Sequence, residues 1–519
     1  MPSSFNCRVV PAAAVRLAAT LAAATPLLFA PVASSGGQST SVASADADPR
    51  IARVDSDIRP RFVERSRRPL PVTLLERMAE LGVPGLSVAV LDDGEIVWAR
   101  GYGVLDLDSK RPVTPETLFL AGSISKPVAA SGALRLVQEG KLGLDDDVNR
   151  WLRSWRVPPS EAMGDEVVTL RRLLTHTAGL TVHGFPGYPR TADLPTIQQI
   201  LDGESPANTA PVRVDILPGS EWRYSGGGYT VMQLLIADIS GRPFEEFLGE
   251  TVLLPFGMTS STFENPLPEE LHALAARGHH RASSPVVGHW HVYPEMAAAG
   301  LWTTATDLAR FALGIQRAAA GESSVLDHVI AASMLTPHLG NWGLGPSLSG
   351  DGATARFGHG GRDEGFDARL VAYVANGKGA ALLTNVNDND GFLDEVIEAI
   401  ARAYDWRDFP VTEQKLYVEL PAADLAQFAG AFEVERSPDA DRDPGDEVTK
   451  YQVFVFEDRL WISPRLGRRL ELLGQEQRDS FWVRAGEGHV TFERDGDGAV
   501  TALRFDVFGN EGRAVRLAQ

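Results

Sequence analysis

The chain has 519 residues, too many for one compact core of ordinary size. Its 44% hydrophobic content suits a large globular domain with a smaller one beside it. A net charge of −19 repels phosphate backbones and argues against a nucleic-acid partner. The one cysteine, Cys7, sits near the N-terminus, so the remaining chain holds no disulfide, no thiol nucleophile and no cysteine-type metal site.

Residues 1–45 have the anatomy of a secretory signal and processing region. Arg8 and Arg16 are its only charges, Leu17 to Ala30 is apolar, and Val32-Ala-Ser34 and Ala43-Ser-Ala45 offer small-residue cleavage sites. The apolar run is too short for a comfortable membrane span. The expectation is a periplasmic or secreted protein with no stable span after cleavage. Residues 46–69 read as a linker, 70–410 as the main domain and 411–519 as a C-terminal β domain.

Leu86 to Leu91 and Glu95 to Ala99 flank Asp92-Asp-Gly94, which predicts a hairpin over 85–103. A helical pattern runs from Ser123 to Glu139 and stops at Gly140. Helical stretches between Gly/Pro loops fill 150–320, among them Val231–Ile239 and Ala305–Leu313. Strand patterns return at Ala368–Val374 and Ala380–Thr384, and Gly391–Tyr404 reads as a closing amphipathic helix. Strands at both ends of a helical middle predict an α/β domain. Its antiparallel sheet would be built from both ends and flanked by helices, with a mainly helical subdomain. Beyond Pro410, short alternating runs such as Tyr451 to Val455 and Phe481 to Val483 predict a small all-β domain. The acidic loop Asp443–Glu447 and the turn at Asp495 lack the ligand spacing of a calcium loop and read as solvated turns.

Of the 49 basic residues only six are lysine. Where charge alone suffices this chain uses arginine. The lysine in Phe119-Leu-Ala-Gly-Ser-Ile-Ser-Lys-Pro127 is therefore informative, because lysine is the cation that can give up its proton. A serine hydroxyl is a weak nucleophile and needs an adjacent base. Gly-x-Ser-x-Gly is absent, whereas Ser-x-x-Lys occurs once, at Ser123 and Lys126. If Ser123 opens a helix, Lys126 lies one turn on, over the same face. The bland alternative is a capping serine beside an incidental lysine, but two further stretches join it. Tyr224, in Trp222-Arg-Tyr-Ser-Gly-Gly-Gly-Tyr229, precedes glycines and a helix. Phe357-Gly-His-Gly-Gly-Arg362 is a glycine-rich strand on which backbone can approach a ligand.

These stretches resemble the serine β-lactamase and penicillin-binding protein superfamily. The likeness is to its class C β-lactamase and D,D-peptidase-like branch, which also contains esterases and D-aminopeptidases. Ser123-Ile-Ser-Lys126 matches the first motif. Tyr224-Ser-Gly226 stands where Tyr-x-Asn is usual, and His359-Gly-Gly361 where Lys-Thr-Gly or His-x-Gly is usual. Leu173–Leu180 and Leu301–Leu308 are also similar to family stretches, in order, over roughly 70 to 410. The segment after 420 resembles the lipocalin-like domain that follows such hydrolases.

The resemblance implies an acyl-enzyme through Ser123, with Lys126, Tyr224 or the pair as base, and the Ser123 and Arg362 amides as oxyanion hole. His359, Gly360, Gly361, Arg362 and Gly226 would line the substrate site. It implies no cofactor and no metal, and a small ester, D-amino-acid amide or lactam as substrate, or a cell-wall peptide. Gly226 lacks the asparagine amide, and His359 replaces a lysine, so weak β-lactamase activity is expected. The alternative is a penicillin- or peptidoglycan-fragment-binding module of the same fold with little turnover. The intact motif set argues against a purely structural exported protein. His176 reads as a structural histidine. His279, His280, His289 and His291 lack ligand-grade spacing for a metal. Trp98, Trp222 and Trp302 read as core or pocket-rim residues.

Overall fold

The computed structural model describes residues 48–66, 71–280, 284–323, 325–387, 391–406, 408–435, 450–463, 470–484, 488–507 and 510–517. The signal-like segment and the 443–447 acidic loop lie outside the described residues.

Within residues 46–69, read from the sequence as a linker, the described residues 48–66 form a helix and a strand. Helix α1 (Pro49–Ser56) starts where the Asp48 carboxylate accepts from the Arg50 amide with proline in the first turn, and it buries Ile51 and Val54. Phe62–Glu64 then pairs in parallel with Lys415–Tyr417. Helix α2 (Leu74–Leu81) opens on a Thr73/Glu76 capping box and closes on left-handed Gly82.

The main sheet has six antiparallel strands. The hairpin strands are β1 (Gly85–Asp92) and β2 (Glu95–Gly103), joined through Asp93 and Gly94 at φ 50° and 77°. β3 (Ser347–Ser349), β4 (Arg356–Asp363), β5 (Phe366–Tyr373) and β6 (Gly379–Thr384) come from the far end of the domain. The order is β3-β4-β5-β6-β1-β2, so the two ends of the domain meet where β6 pairs with β1.

β1 is buried along its whole length because both faces of the sheet are covered. Ala89 and Leu91 face the helical side, with α3 (Ser125–Gln138), α4 (Gly226–Ser240) and α5 (Ala305–Ala319). Leu86, Val88 and Val90 face the other side, with α1, α2 and α6 (Phe392–Ala403). A buried ion pair fixes α6 to α2: Arg77 Nε and Nη2 each donate at 2.8 Å to the Glu395 carboxylate.

Eight further strands, β7 (Gly430–Val434), β8 (Lys450–Phe456), β9 (Arg459–Ser463), β10 (Leu470–Gly474), β11 (Ser480–Val483), β12 (Gly488–Arg494), β13 (Val500–Val507) and β14 (Asn510–Arg516), follow in up-and-down order. β7 pairs with β14 and closes the antiparallel barrel, which leaves no open edge. Its interior is packed by Phe432, Val453, Ile462 and Leu503, among others. Asp495 closes its own turn by accepting from the Asp497 and Ala499 amides. Among the described residues no helix is long and apolar enough to cross a membrane.

Candidate active site

Gly122, at φ 52°, bends the chain into a 3₁₀ turn over Gly122–Ile124 that runs directly into α3. Ser125 Oγ holds the turn by donating to the Gly122 carbonyl at 2.6 Å and accepting the Leu301 amide at 3.0 Å. Ser123 is left partly exposed at the tip. Lys126, one turn on, is 2% exposed. Its Nζ lies 2.9 Å from Ser123 Oγ and donates to the Ala298 carbonyl at 2.8 Å. Burial disfavours the ammonium and brings this lysine down to about 7, with Asp363 opposing the fall. An amine beside the nucleophile that can be neutral at neutral pH is what the serine needs.

Tyr224 lies just before Ser225, whose hydroxyl caps α4 by accepting from the Gly228 amide at 3.0 Å. The phenol is hydrogen-bonded to Ser123, but burial is the larger influence and raises its pKa, so it stays protonated. Lys126 Nζ sits 4.9 Å from the centre of the Tyr224 ring. Burial therefore acts in opposite senses on the two bases that the sequence left as alternatives: it lowers the lysine and raises the phenol.

Strand β4 forms the facing wall. A Cβ on Gly122 would lie 2.4 Å from the Arg362 nitrogen, and one on Gly361 would lie 1.9 Å from the Ala121 carbonyl oxygen. Only glycine at both positions lets the strand touch the serine turn, which brings the Arg362 backbone beside Ser123. His359 is 6% exposed, and its Nδ1 donates to the Gly360 carbonyl. Burial first, then the charge of Lys126, push it down to about 3, so it is neutral at pH 7. Arg362 spends its Nε on Asp367 Oδ1 at 2.9 Å and its Nη2 on Oδ2 at 3.3 Å. The cavity between these walls has a volume of about 470 Å³ and is lined by Ser123, Tyr224, His359, Arg362, Trp222 and Leu393, among others.

Ser123, Lys126, Tyr224, His359, Gly360, Gly361 and Arg362 therefore converge. Gly226 does not join them. It is the first residue of α4, its amide donates to the His183 carbonyl, and a Cβ there would meet Phe185 and that carbonyl, not the cavity. Its placement in the substrate site is a correction. Trp98 and Trp302 are buried, and Trp222 forms part of the cavity rim. His279 Nδ1 lies against the Asn385 carbonyl and His291 Nδ1 against that of Pro186.

Two acids escaped the sequence reading. Asp363 follows His359 and Gly361 at strand period, so all three share the face of β4 turned toward Lys126. Its carboxyl is wholly buried beside the Gly122 amide, and burial pushes it well up. Glu295, wholly buried just before the turn that carries Ala298, is raised to about 8 by burial against the opposing pull of its own backbone amide. The charge of Lys126 opposes the rise at Asp363, and Glu295 adds to it. Two-residue alternation from His359 reaches Asp363; nothing local marks Glu295.

A family model described as Beta-lactamase matches residues 73–405. The chain belongs to the beta-lactamase family of serine hydrolases. Esterase EstB of Burkholderia gladioli is 33% identical over 201 residues, which span 37% of this chain and 50% of that protein. A penicillin-binding protein of Bacillus subtilis is 24% identical over 480 residues, covering 88% of this chain and 100% of the relative. Among solved structures, an octameric penicillin-binding protein homologue from Pyrococcus abyssi superposes with a TM-score of 0.53 at 21% identity, covering 85% of this chain and 98% of its own. A D-amino acid amidase from Ochrobactrum anthropi gives 0.51 at 24% identity over 64% of this chain and 96% of its own. The two structural likenesses carry the fold alone.

Proposed function

We propose that this chain is an exported, periplasmic or secreted hydrolase that forms an acyl-enzyme through Ser123. Its substrates in this reading are short acyl esters or small D-amino-acid amides, and it turns over β-lactams poorly. The observation that carries the reading is a buried lysine, brought down to about 7, with its amine 2.9 Å from a partly exposed serine hydroxyl. Export rests on the basic, apolar, small-residue order of residues 1–45.

Neutral Lys126 takes the Ser123 proton as Oγ bonds to the acyl carbon, and the carbonyl π pair moves onto oxygen. The Ser123 and Arg362 amides hold that oxyanion; losing one such donor costs about 2.7–4 kcal/mol. As the oxyanion collapses, the bond to the leaving group breaks. The leaving atom takes a proton from the Tyr224 phenol, which Lys126 replaces. Water then repeats the sequence on the acyl-enzyme: its proton goes to Lys126, its oxygen bonds to the acyl carbon, and Ser123 leaves reprotonated.

Preference for esters follows from what the cavity lacks. His359 is neutral, and Arg362 is engaged by Asp367. A missing charge-assisted hydrogen bond to a substrate carboxylate is worth about 1.5–3 kcal/mol. The esterase among the relatives supports the same choice. Measuring kcat/KM on one preparation for p-nitrophenyl acetate, D-alanyl anilide and a chromogenic cephalosporin, with Ser123→Ala as control, tests it. Ester or amide turnover should exceed cephalosporin turnover by roughly two orders of magnitude, the size set by one or two such lost bonds. A cephalosporin value equal to the ester value overturns the specificity, and stoichiometric acylation without turnover would mark a penicillin-binding module instead.

A further inference from the structure

His176 grips Tyr224 from three sides. The Arg223 amide donates to the His176 carbonyl at 2.9 Å, and the Ser225 amide donates to His176 Nδ1 at 3.0 Å. These are the two residues that flank Tyr224, and on an extended segment their amides point the same way. Between them the His176 ring lies against the Tyr224 ring, with centroids 4.2 Å apart and planes 31° from parallel. The edge of Trp342 closes against both rings, at 5.1 Å from His176 and 5.7 Å from Tyr224.

The local backbone is shaped for this grip. His176 has φ 59°, a left-handed conformation uncommon for any residue but glycine, and its side chain is buried. A core histidine chosen only to fill space has no need of that conformation. Because Nδ1 accepts a hydrogen bond, the ring proton sits on Nε2, and burial keeps the imidazole neutral by pushing its pKa well down.

We propose that His176 is a positioning residue for the reaction: it fixes the Arg223–Ser225 segment so that the Tyr224 hydroxyl stays on Ser123. This rests on the reading of Tyr224 as the group that passes the proton. His176 touches neither substrate nor nucleophile. Its contribution acts wholly through Tyr224, so it vanishes when the Tyr224 hydroxyl is gone.

A double-mutant cycle on the full chain reads this directly, with single-turnover acylation by p-nitrophenyl acetate and melting temperature measured on each protein. His176→Phe keeps a ring but leaves the Ser225 amide without its acceptor. His176→Asn loses the ring but keeps an acceptor atom near the Nδ1 position and tolerates the left-handed backbone. His176→Phe should slow acylation by about 10- to 100-fold, the scale of a misplacement approaching 1 Å, with KM within about twofold. His176→Asn should recover most of that loss. In the Tyr224→Phe background, His176→Phe should change the rate by less than about twofold, because residues acting through one group are not additive. If His176→Phe does not accumulate folded, His176→Gln takes its place in the cycle, since its acceptor is displaced by one bond. An equal loss from the histidine change in both backgrounds, or no rescue by asparagine, overturns the proposal while leaving Tyr224 in its role. An unchanged rate in Tyr224→Phe alone overturns both.

Discussion

Replacing Lys126 with arginine separates charge from proton transfer. In a lysine brought down to about 7, about half the molecules are neutral at pH 7; at its ordinary value of 10.5 the neutral fraction would be about one in three thousand. Arginine, above 12, would be neutral in fewer than about one in 10⁵. The variant keeps the cation and forfeits the base, which is worth about 10²- to 10⁴-fold. Space gives no relief: the amine already lies 2.9 Å from Ser123 Oγ, 2.8 Å from the Ala298 carbonyl and 4.9 Å from the Tyr224 ring centre. The sign with pH follows from the competent form. Deprotonated Lys126 is active, so acylation of the wild type rises through a midpoint near pH 7 and stays level above it. Lys126→Arg should lose at least about a hundredfold at pH 7, match Lys126→Ala, and show no rise near pH 7. Stopped-flow release of nitrophenol between pH 5 and 9 reports all three. An arginine variant within about tenfold of wild type, or a wild-type rate that falls on crossing pH 7 upward, would refute the lysine as base.

Asp363 holds Lys126 up against the larger lowering by burial, so Asp363→Asn should move the midpoint of the acylation profile to lower pH; an unmoved midpoint would mean the Asp363 proton never leaves. Gly361→Ala puts a Cβ 1.9 Å from the Ala121 oxygen and must push β4 off the serine turn, so kcat should fall at least about tenfold in a protein that still folds; unchanged kcat would show that Arg362 supplies no oxyanion contact. Arg77→Ala strands the buried Glu395 carboxyl and should cost about 3–5 kcal/mol by denaturant titration, with a loss under about 1 kcal/mol contradicting the ion pair's role.

The parts of the fold legible in the sequence are those set by local rules. Asp92-Asp-Gly94 specified a two-residue turn, Gly140 stopped a helix, and the alternation after Lys450 marked barrel strands. Helix α1 escaped because it spans only about two turns, and its apolar pair Ile51 and Val54 acquires meaning only against α6. In the site, Ser123 and Lys126 were legible because one helical turn joins them. The pattern around Gly226 misled because the same residue begins α4 and its Cβ direction leads to Phe185. His176 and Ser225 meet across 49 residues, a contact no local pattern encodes. Asp363 and Glu295 are set apart by burial, which becomes apparent only once helix, strand and loop are packed together.

The covalent bond at Ser123 is the claim on which the rest depends. Intact-mass measurement after treatment with a fluorophosphonate, followed by peptide mapping, reads it without reference to any natural substrate. The account predicts one adduct per chain, located on Ser123 and absent from Ser123→Ala. An adduct of equal yield on the alanine variant, or one mapped to any other residue, would contradict it.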